Sequence, residues 1–168
     1  ALRAEGVARV GIVDIDVHHG NGTQDAFYAD PTVLYVSTHQ YPYYPGTGAA
    51  EETGEGAGRG ATLNVPMDAG AGDEEFLAAY VSAVVPALEA FRPEVVLVSA
   101  GFDAHALDPL GGLRVTTSGY LQVVVALRDA AARLAGGRIA FVTEGGYHLP
   151  ALLECVEGVS AVFDRNGT

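Results

Sequence analysis

The sequence predicts an α/β protein built on a parallel sheet, and three observations support that fold class. Short apolar runs such as 10–13 and 95–98 have the length and composition of strands buried on both faces. Helical patterns separate successive runs, which implies crossover connections between parallel strands. Polar, glycine-containing segments follow three of the runs, where open α/β sheets place their ligand sites. We therefore expect one parallel sheet with helices on both faces.

The strands are predicted from β-branched and aromatic runs that end at turn-forming residues. They fall at 10–13, 33–37, 61–67, 95–98 and 139–142. The second run is followed by an irregular segment, 39–59, which contains two prolines and several glycines. Loops of that length within a compact domain are usually functional, so we expect this one to border a site.

The helices are predicted from apolar residues at helical spacing and from their end signals. They fall at 23–29, 73–91, 116–134 and 150–163. Asp30-Pro31 ends the first, and acidic residues suit the first turn of the second. The third begins with an N-cap near Thr117 or Ser118 and ends at Gly136-Gly137.

Length and charge limit the classes of function. The 168 residues fit one domain, 1–168, and the net charge of −12 disfavours binding to nucleic acids and to anionic membranes. The only cysteine, Cys155, excludes an internal disulfide and suits a reducing, cytoplasmic compartment. The chain starts without methionine and almost directly with a strand, so we expect a partial domain that exposes an apolar edge and forms oligomers.

The segment Asp14-Ile15-Asp16-Val17-His18-His19-Gly20-Asn21-Gly22 follows the first strand. Asp16 and His18 are two residues apart and point the same way from an extended backbone. One carboxylate and one imidazole make two-thirds of a catalytic zinc site. The alternative is that the aspartates cap the next helix while the histidines lie in a polar loop.

Two further strand ends carry residues that complete such a site. SAGFDAH follows the fourth strand and contains Asp103, and TEGGYH follows the fifth and contains Tyr147. Because the carboxyl ends of parallel strands share one edge, these residues can converge with Asp16 and His18. The phenol of Tyr147 can donate a hydrogen bond to a developing oxyanion, and Gly145-Gly146 allow a close approach.

The combination and order of these motifs resemble the histone deacetylase superfamily, on the side of the class II enzymes and bacterial deacetylase-like amidohydrolases. The resemblance runs from about Val10 to about Gly158 and rests on DIDVHHGNGT at 14–23, YYPGTG at 43–48, GFDAH at 101–105, DPLGG at 108–112 and EGGY at 144–147. It implies an arginase/deacetylase-like fold and the hydrolysis of acetyl-lysine, acetylated polyamines or small acetylated amides.

The resemblance also implies roles for individual residues. Asp16, His18 and Asp103 look like the ligands of a Zn²⁺ ion, and Tyr147 looks like the oxyanion-stabilising tyrosine. Asp14 looks like a residue of the catalytic machinery. It also matches, with the backbone oxygens of Asp16 and His18 and with Ser37 and Thr38, a structural site for a monovalent cation, K⁺. Tyr44 and Leu110 match walls of the acyl-lysine tunnel, beside Gly145 and Gly146.

The chain departs from the family pattern at the general base. Family members carry a tandem histidine pair well upstream of the zinc-binding strand, whereas only nine residues precede Val10 here and none is histidine. The chain is therefore either the carboxy-terminal part of a deacetylase or a protein that keeps the metal half alone. The leading hypothesis is a zinc-dependent deacetylase, impaired in isolation. A non-catalytic metal-binding or interaction module is the alternative, and an arginase-like binuclear manganese site is disfavoured because further bridging ligands are lacking.

Overall fold

The computed structural model describes residues 2–164, and the strands within this range form one parallel sheet in the order β3-β2-β1-β4-β5. The strands are β1 Val10–Asp14, β2 Val33–Gln40, β3 Thr62–Met67, β4 Val95–Ala100 and β5 Ile139–Thr143. All five predicted strands are present, and four of them run one to three residues further than predicted at their carboxyl ends. The predicted α/β class is confirmed.

The helices are α1 Asn21–Phe27, α2 Asp73–Ala79, α3 Val85–Phe91, α4 Thr117–Ala135 and α5 Leu149–Asp164, with a short 3-10 turn at Leu2–Glu5. A π-helical turn, Tyr80–Val84, separates α2 from α3 within the single helix predicted at 73–91. Pro86 follows at the start of α3. Because proline lacks an N–H donor, the regular α-helical hydrogen-bond pattern is interrupted at Pro86, and the wider π-helical turn lies just before it. No helix in residues 2–164 is long and apolar enough to cross a bilayer.

One face of the sheet carries the larger core. Alternate residues of β1 and β4, such as Val13 and Val98, are fully buried against helices that include α4. The buried stripe of α4 has the spacing expected of an amphipathic helix. Thr116 caps α4 by accepting a hydrogen bond from the Gly119 amide, so the prediction of Thr117 or Ser118 was wrong by one or two residues. Gly136 ends the helix in the left-handed conformation, as predicted.

The other face is covered less completely. Val10, Ile12, Val33 and Tyr35 form a small cluster there, packed by residues of the 3-10 turn and α1. Helices thus lie on both faces, but this cover does not extend across β5, where Val142 is 55% exposed. Within residues 2–164, β5 pairs only with β4, so its outer edge is open in this part of the chain.

The strand β2 extends into the segment predicted to be a loop. His39 and Gln40 pair in register with Pro66 and Met67 of β3, so His39 belongs to a strand and is fully buried. Its polar ring is accommodated because Nδ1 lies 2.8 Å from Ser37 Oγ and Nε2 donates to Gly48 O at 2.9 Å. The irregular segment therefore begins after Gln40.

Candidate metal centre

The site lies where the carboxyl ends of β1, β4 and β5 meet. Asp14 is in register with Ser37 of β2 on one side and with Ser99 of β4 on the other. The chain leaves each strand just beyond this level, so the segments containing Asp16, Asp103 and Gly145 emerge side by side. Parallel pairing of the three strands thus explains why residues distant in sequence are adjacent at this edge.

Three potential ligand atoms converge at these strand ends. One ligand atom from each of Asp16, His18 and Asp103 lies within 4.8 Å of the other two. His18 Nδ1 is 3.0 Å from Asp16 Oδ1 and 3.3 Å from Asp103 Oδ2. The geometry therefore presents two carboxylate oxygens and one imidazole nitrogen to a common point, a donor set that suits Zn²⁺.

Asp103 provides a test of whether a cation fits. Its side chain is fully buried, and Oδ1 accepts a hydrogen bond from the Val17 amide at 2.8 Å. Oδ2 is also buried but accepts no hydrogen bond from the described residues. Burial, with a further contribution from the nearby Asp16 charge, raises the pKa of Asp103 well above its usual range. An ionised oxygen left in this position is costly unless a cation compensates it, so the site fits a bound metal ion.

The other two candidate ligands are held by backbone and ring contacts. Asp16 Oδ1 accepts from the His18 amide at 2.8 Å, and Oδ2 accepts from the Gly145 amide at 3.1 Å. The ring of Tyr43 stacks on the imidazole of His18, with 5.6 Å between centroids and 18° between planes. Orientation by neighbours of this kind is typical of residues that ligate metals.

Two glycines leave the space that the ligand oxygens occupy. A Cβ atom on Gly101 would lie 2.2 Å from Asp16 Oδ2, and one on Gly145 would lie 2.1 Å from Asp103 Oδ2. Both distances are shorter than real Cβ contacts, so a larger residue at either position would displace a candidate ligand. The glycines of SAGFDAH and TEGGYH thus have a steric role beside the site.

Asp14 lies behind the three candidate ligands and is buried. Its Oδ2 accepts from Tyr35 Oη at 3.1 Å and its Oδ1 from the Asp16 amide at 3.1 Å. Burial raises the pKa of Asp14 to about 7, and the Asp16 charge adds to the rise. Thr38 Oγ1 contacts Asp14 O at 3.4 Å, while Ser37 Oγ contacts His39 Nδ1. The residues predicted to hold K⁺ are therefore neighbours, and their role as cation ligands stays a prediction.

The residues predicted to bind substrate lie around the rim of the site. Tyr147 is 55% exposed on the segment after β5, and Leu110 is exposed on the segment after β4. Tyr44 is exposed, with its ring 6.0 Å from that of His18 in an edge-on arrangement. Gly146 precedes Tyr147 at a positive φ of 133°, a conformation that favours glycine. These placements leave the proposed tunnel roles as predictions.

The sequence interpretation missed two residues at this rim. Tyr43, beside the predicted Tyr44, stacks on His18 and donates its hydroxyl hydrogen bond to Leu110 O. Asp108, at the start of DPLGG, is buried and accepts hydrogen bonds from backbone amides of two loops. A role for Tyr43 could have been suspected from its position in the predicted functional loop, but neither YYPGTG nor DPLGG indicates these contacts.

Two other histidines near the site form part of a buried polar network. His19 Nδ1 lies 2.8 Å from Thr47 Oγ1, and its Nε2 lies 3.0 Å from Gln24 Oε1. Gln24 in turn donates to Glu52 at 2.6 Å. The rings of His19 and His39 are 4.8 Å apart, and burial lowers the pKa of both. Both ring nitrogens of each histidine are therefore committed to contacts that anchor the segment after β2.

A cavity of about 210 Å³ opens beside the candidate ligands. It borders Asp16 and His18 and is otherwise lined by Gly20 and by polar residues, namely Asp14, His19, Thr23, Ser99 and Glu144. The centre is therefore accessible from the side of β1 and α1 and can admit water or a further polar group.

Comparison with known proteins matches this geometry to one family. The chain matches the family described as the histone deacetylase domain over residues 1–163. It is 48% identical to "Histone deacetylase 10, chloroplastic" of Oryza sativa subsp. japonica over 97% of its own length, and 45% identical to the "Histone deacetylase-like amidohydrolase" of Pseudomonas aeruginosa over 98%. The crystal structure of the HDA15 HD domain superposes on 96% of the chain with a TM-score of 0.90 at 41% identity.

The relatives are considerably longer than this chain. It spans 37% of the rice protein, 46% of the Pseudomonas protein and 46% of the HDA15 chain. The match covers almost all of this sequence at well above 30% identity, and it includes every motif on which the resemblance rested. The chain belongs to the histone deacetylase domain family.

Proposed function

We propose that this chain carries the metal-binding half of a zinc-dependent deacetylase that hydrolyses the acetyl amide of acetylated lysine or of another acetylated amine. The observation that supports this most strongly is the buried Asp103 Oδ2, which accepts no hydrogen bond from residues 2–164 and lies 3.3 Å from His18 Nδ1. The names of the rice and Pseudomonas relatives describe deacetylase and amidohydrolase activity, which agrees with the proposal.

The metal would be held by Asp16, His18 and Asp103. When bound, Zn²⁺ supplies a Lewis acid that polarises an amide carbonyl and lowers the pKa of water. Asp103 provides a fully buried oxygen, while Asp16 and His18 remain partly accessible. This difference in burial leaves one side of the centre open, as a catalytic rather than a structural zinc site requires.

The substrate would be held and polarised by residues at the rim. We assign Tyr147 as the hydrogen-bond donor to the carbonyl oxygen as negative charge develops there. Tyr44 and Leu110 would line the path of the acyl-lysine chain, and Gly145 and Gly146 would keep the backbone of the Tyr147 segment close to the centre. An acidic protein with a net charge of −12 suits substrates with further positive charge, such as polyamines or lysine-rich peptides.

We place the general base outside the histidines of residues 2–164. His19 and His39 each use both ring nitrogens in contacts within the fold. We propose that a histidine pair from another segment would lie at the polar cavity beside Asp14 and Glu144. Asp14 would orient such a histidine, and a K⁺ ion near Asp14, Ser37 and Thr38 would stabilise the strand ends behind the zinc ligands.

The surface around β5 favours self-association. The outer edge of β5 is open within residues 2–164, and apolar residues such as Val142 and Leu153 are exposed.

The cellular location is a separate question. Two plant relatives are named chloroplastic, and a cytoplasmic location for this protein stays a prediction.

A second candidate function is a metal-binding or interaction module without catalysis. It is favoured by the commitment of His19 and His39 to structural contacts, because general acid–base groups typically contribute ~10²–10⁴-fold to a rate. Both candidates require a bound metal, so metal content alone does not separate them.

An acetyl-lysine peptide assay separates the two functions. The zinc-loaded chain is assayed alone and then with a separately produced family segment that carries the His-His pair. Activity only in the mixture, lost on Tyr147→Phe and kept in the control Tyr28→Phe, would support the deacetylase. Robust turnover by the chain alone would contradict the placement of the base, and no turnover in either case would favour the module.

A further inference from the structure

The loop after β4 contains a buried carboxylate that the proposed chemistry does not use. Asp108 is 8% exposed. Its Oδ1 accepts from the Leu110 amide at 2.9 Å, and its Oδ2 accepts from the amides of Tyr147 at 2.7 Å and His148 at 3.3 Å. Three backbone donors thus compensate the burial of one charged group, and the 2.7 Å contact has the short length of a charge-assisted hydrogen bond.

These contacts join two loops that come from different strands. Leu110 belongs to the segment after β4, whereas Tyr147 and His148 belong to the segment after β5. The side chains of Leu110 and Tyr147 are 48% and 55% exposed, so packing alone restrains them weakly. Gly145 and Gly146 precede Tyr147, and glycines leave the backbone more conformational freedom than other residues do. The position of Tyr147 therefore depends on an anchor for its backbone.

The anchor is connected to the metal centre through further contacts. Tyr43 donates its hydroxyl hydrogen bond to Leu110 O, and its ring stacks on His18. On the other side, the Gly145 amide donates to Asp16 Oδ2. Asp108 therefore lies between two rim segments. One contacts the candidate ligand Asp16 directly, and the other is linked to the candidate ligand His18 through Tyr43.

We propose that Asp108 is a positioning residue that fixes the Tyr147 backbone, and with it the oxyanion-donating phenol, against the Leu110 wall of the site. The inference rests on the proposed function, because it assumes that Tyr147 acts on a carbonyl oxygen next to the bound metal. In this role Asp108 acts through the backbone amides of Leu110, Tyr147 and His148.

The test uses Asp108→Asn. The carbonyl oxygen of the asparagine can still accept from the Leu110 amide, but its NH₂ group replaces the oxygen that accepts from the Tyr147 and His148 amides. Zinc content, the calorimetric affinity for acetohydroxamate and the hydrogen exchange of the Tyr147 and His148 amides are measured. Acetohydroxamate is a small metal-binding probe whose carbonyl oxygen can accept a hydrogen bond from Tyr147. The matched control is Asp30→Asn, since Asp30 also accepts from an amide two residues on, that of Thr32, at the opposite end of the sheet.

We expect Asp108→Asn to keep its zinc and to bind acetohydroxamate roughly tenfold more weakly, about the effect of losing one hydrogen bond. Tyr147→Phe should weaken binding by a similar factor, and the double variant should be no weaker than Tyr147→Phe, because both changes remove the same interaction. Exchange of the two amides should accelerate in Asp108→Asn and stay unchanged in Asp30→Asn. If Asp108→Asn fails to fold, Asp108→Glu, which shifts the carboxylate by one methylene, replaces it in the same comparison.

Three results would overturn the inference, and the third is distinguishable from the first two. Weak probe binding in Tyr147→Phe together with wild-type binding in Asp108→Asn would show that Asp108 does not position the phenol. The same conclusion would follow if the losses of affinity in the two single variants multiplied in the double variant. Wild-type binding in Tyr147→Phe would instead contradict the proposed role of Tyr147, and with it the inference that depends on that role.

Discussion

The amide of Gly145 donates a hydrogen bond to Oδ2 of Asp16 over 3.1 Å, which joins residues 129 positions apart in the chain. This contact brings the end of β5 against a candidate metal ligand at the end of β1. A side chain at position 145 would meet Asp103 Oδ2 at 2.1 Å, so the same glycine also borders a second ligand. The absence of a Cβ atom at this residue is thus a condition for the assembled centre.

We expect Gly145→Ala to weaken zinc binding roughly 10–100-fold, the range seen when groups that orient metal ligands are disturbed. The added methyl group would displace Asp103 or Asp16 from the common point. The affinity is measured by competition with a chromogenic chelator. Gly22→Ala is the matched control, because Gly22 has open space around its Cβ position. Equal zinc affinity in the two variants would contradict the steric role of Gly145.

The three candidate ligands themselves give a second prediction. Asp16→Ala and Asp103→Ala should each lose stoichiometric zinc, since each variant leaves only one carboxylate and one imidazole to hold the metal. Metal analysis of the dialysed proteins measures this. Asp129→Ala, which removes a half-exposed carboxylate from α4, should retain one zinc per chain. Unchanged zinc content in both ligand variants would refute the assignment of the centre.

A third prediction concerns the pH dependence of stability through His39. Burial lowers the pKa of His39 from 6.5 to about 4. Between these values the unfolded chain binds a proton that the folded chain excludes, so the free energy of unfolding decreases as the pH falls through this window. His39 alone would lower it by about 2 kcal/mol between pH 7 and pH 5.

The measurement compares His39→Gln with the wild type by urea unfolding at both pH values. Chelator is present throughout, so that metal release does not contribute to the change. The variant should lose about 2 kcal/mol less than the wild type on acidification, whatever its stability at pH 7. Parallel pH profiles would show that His39 does not titrate differently in the folded and unfolded chains.

The fourth prediction concerns the open side of β5. Val142 is 55% exposed on a strand whose outer edge has no partner in residues 2–164, and such edges pair readily with other chains. Val142→Lys should reduce self-association in sedimentation velocity, because a charge on an edge strand opposes pairing. Val81→Lys removes an apolar residue of similar exposure, 63%, from the helical side and should leave association unchanged. A wild-type chain that is monomeric across the micromolar range would contradict the prediction.

Much of the fold and the core of the site could be predicted from local sequence. Val10–Val13 and Val95–Val98 are short apolar runs separated by helical segments, and that arrangement is characteristic of a parallel sheet. Once the sheet is parallel, the carboxyl ends of its strands share an edge, so Asp16, His18 and Asp103 must approach one another there. The convergence of these three residues was therefore predictable because it depends mainly on strand direction, and their role as zinc ligands stays a prediction.

Only the tertiary structure decided how the surrounding segments meet. His39 was expected at the start of the irregular segment 39–59, but hydrogen bonds with Ser37 and Gly48 satisfy its ring and allow it to be buried within β2. The hydrogen bonds of Asp108 to Leu110 and Tyr147 likewise depend on two loops whose backbone paths have no sequence periodicity. Periodic patterns report which face of a strand or helix is buried, whereas contacts between backbone amides and distant side chains follow from the assembled packing. The sequence by itself therefore determined the sheet and the convergence of the three candidate ligands, and the tertiary structure determined what holds the rim around them.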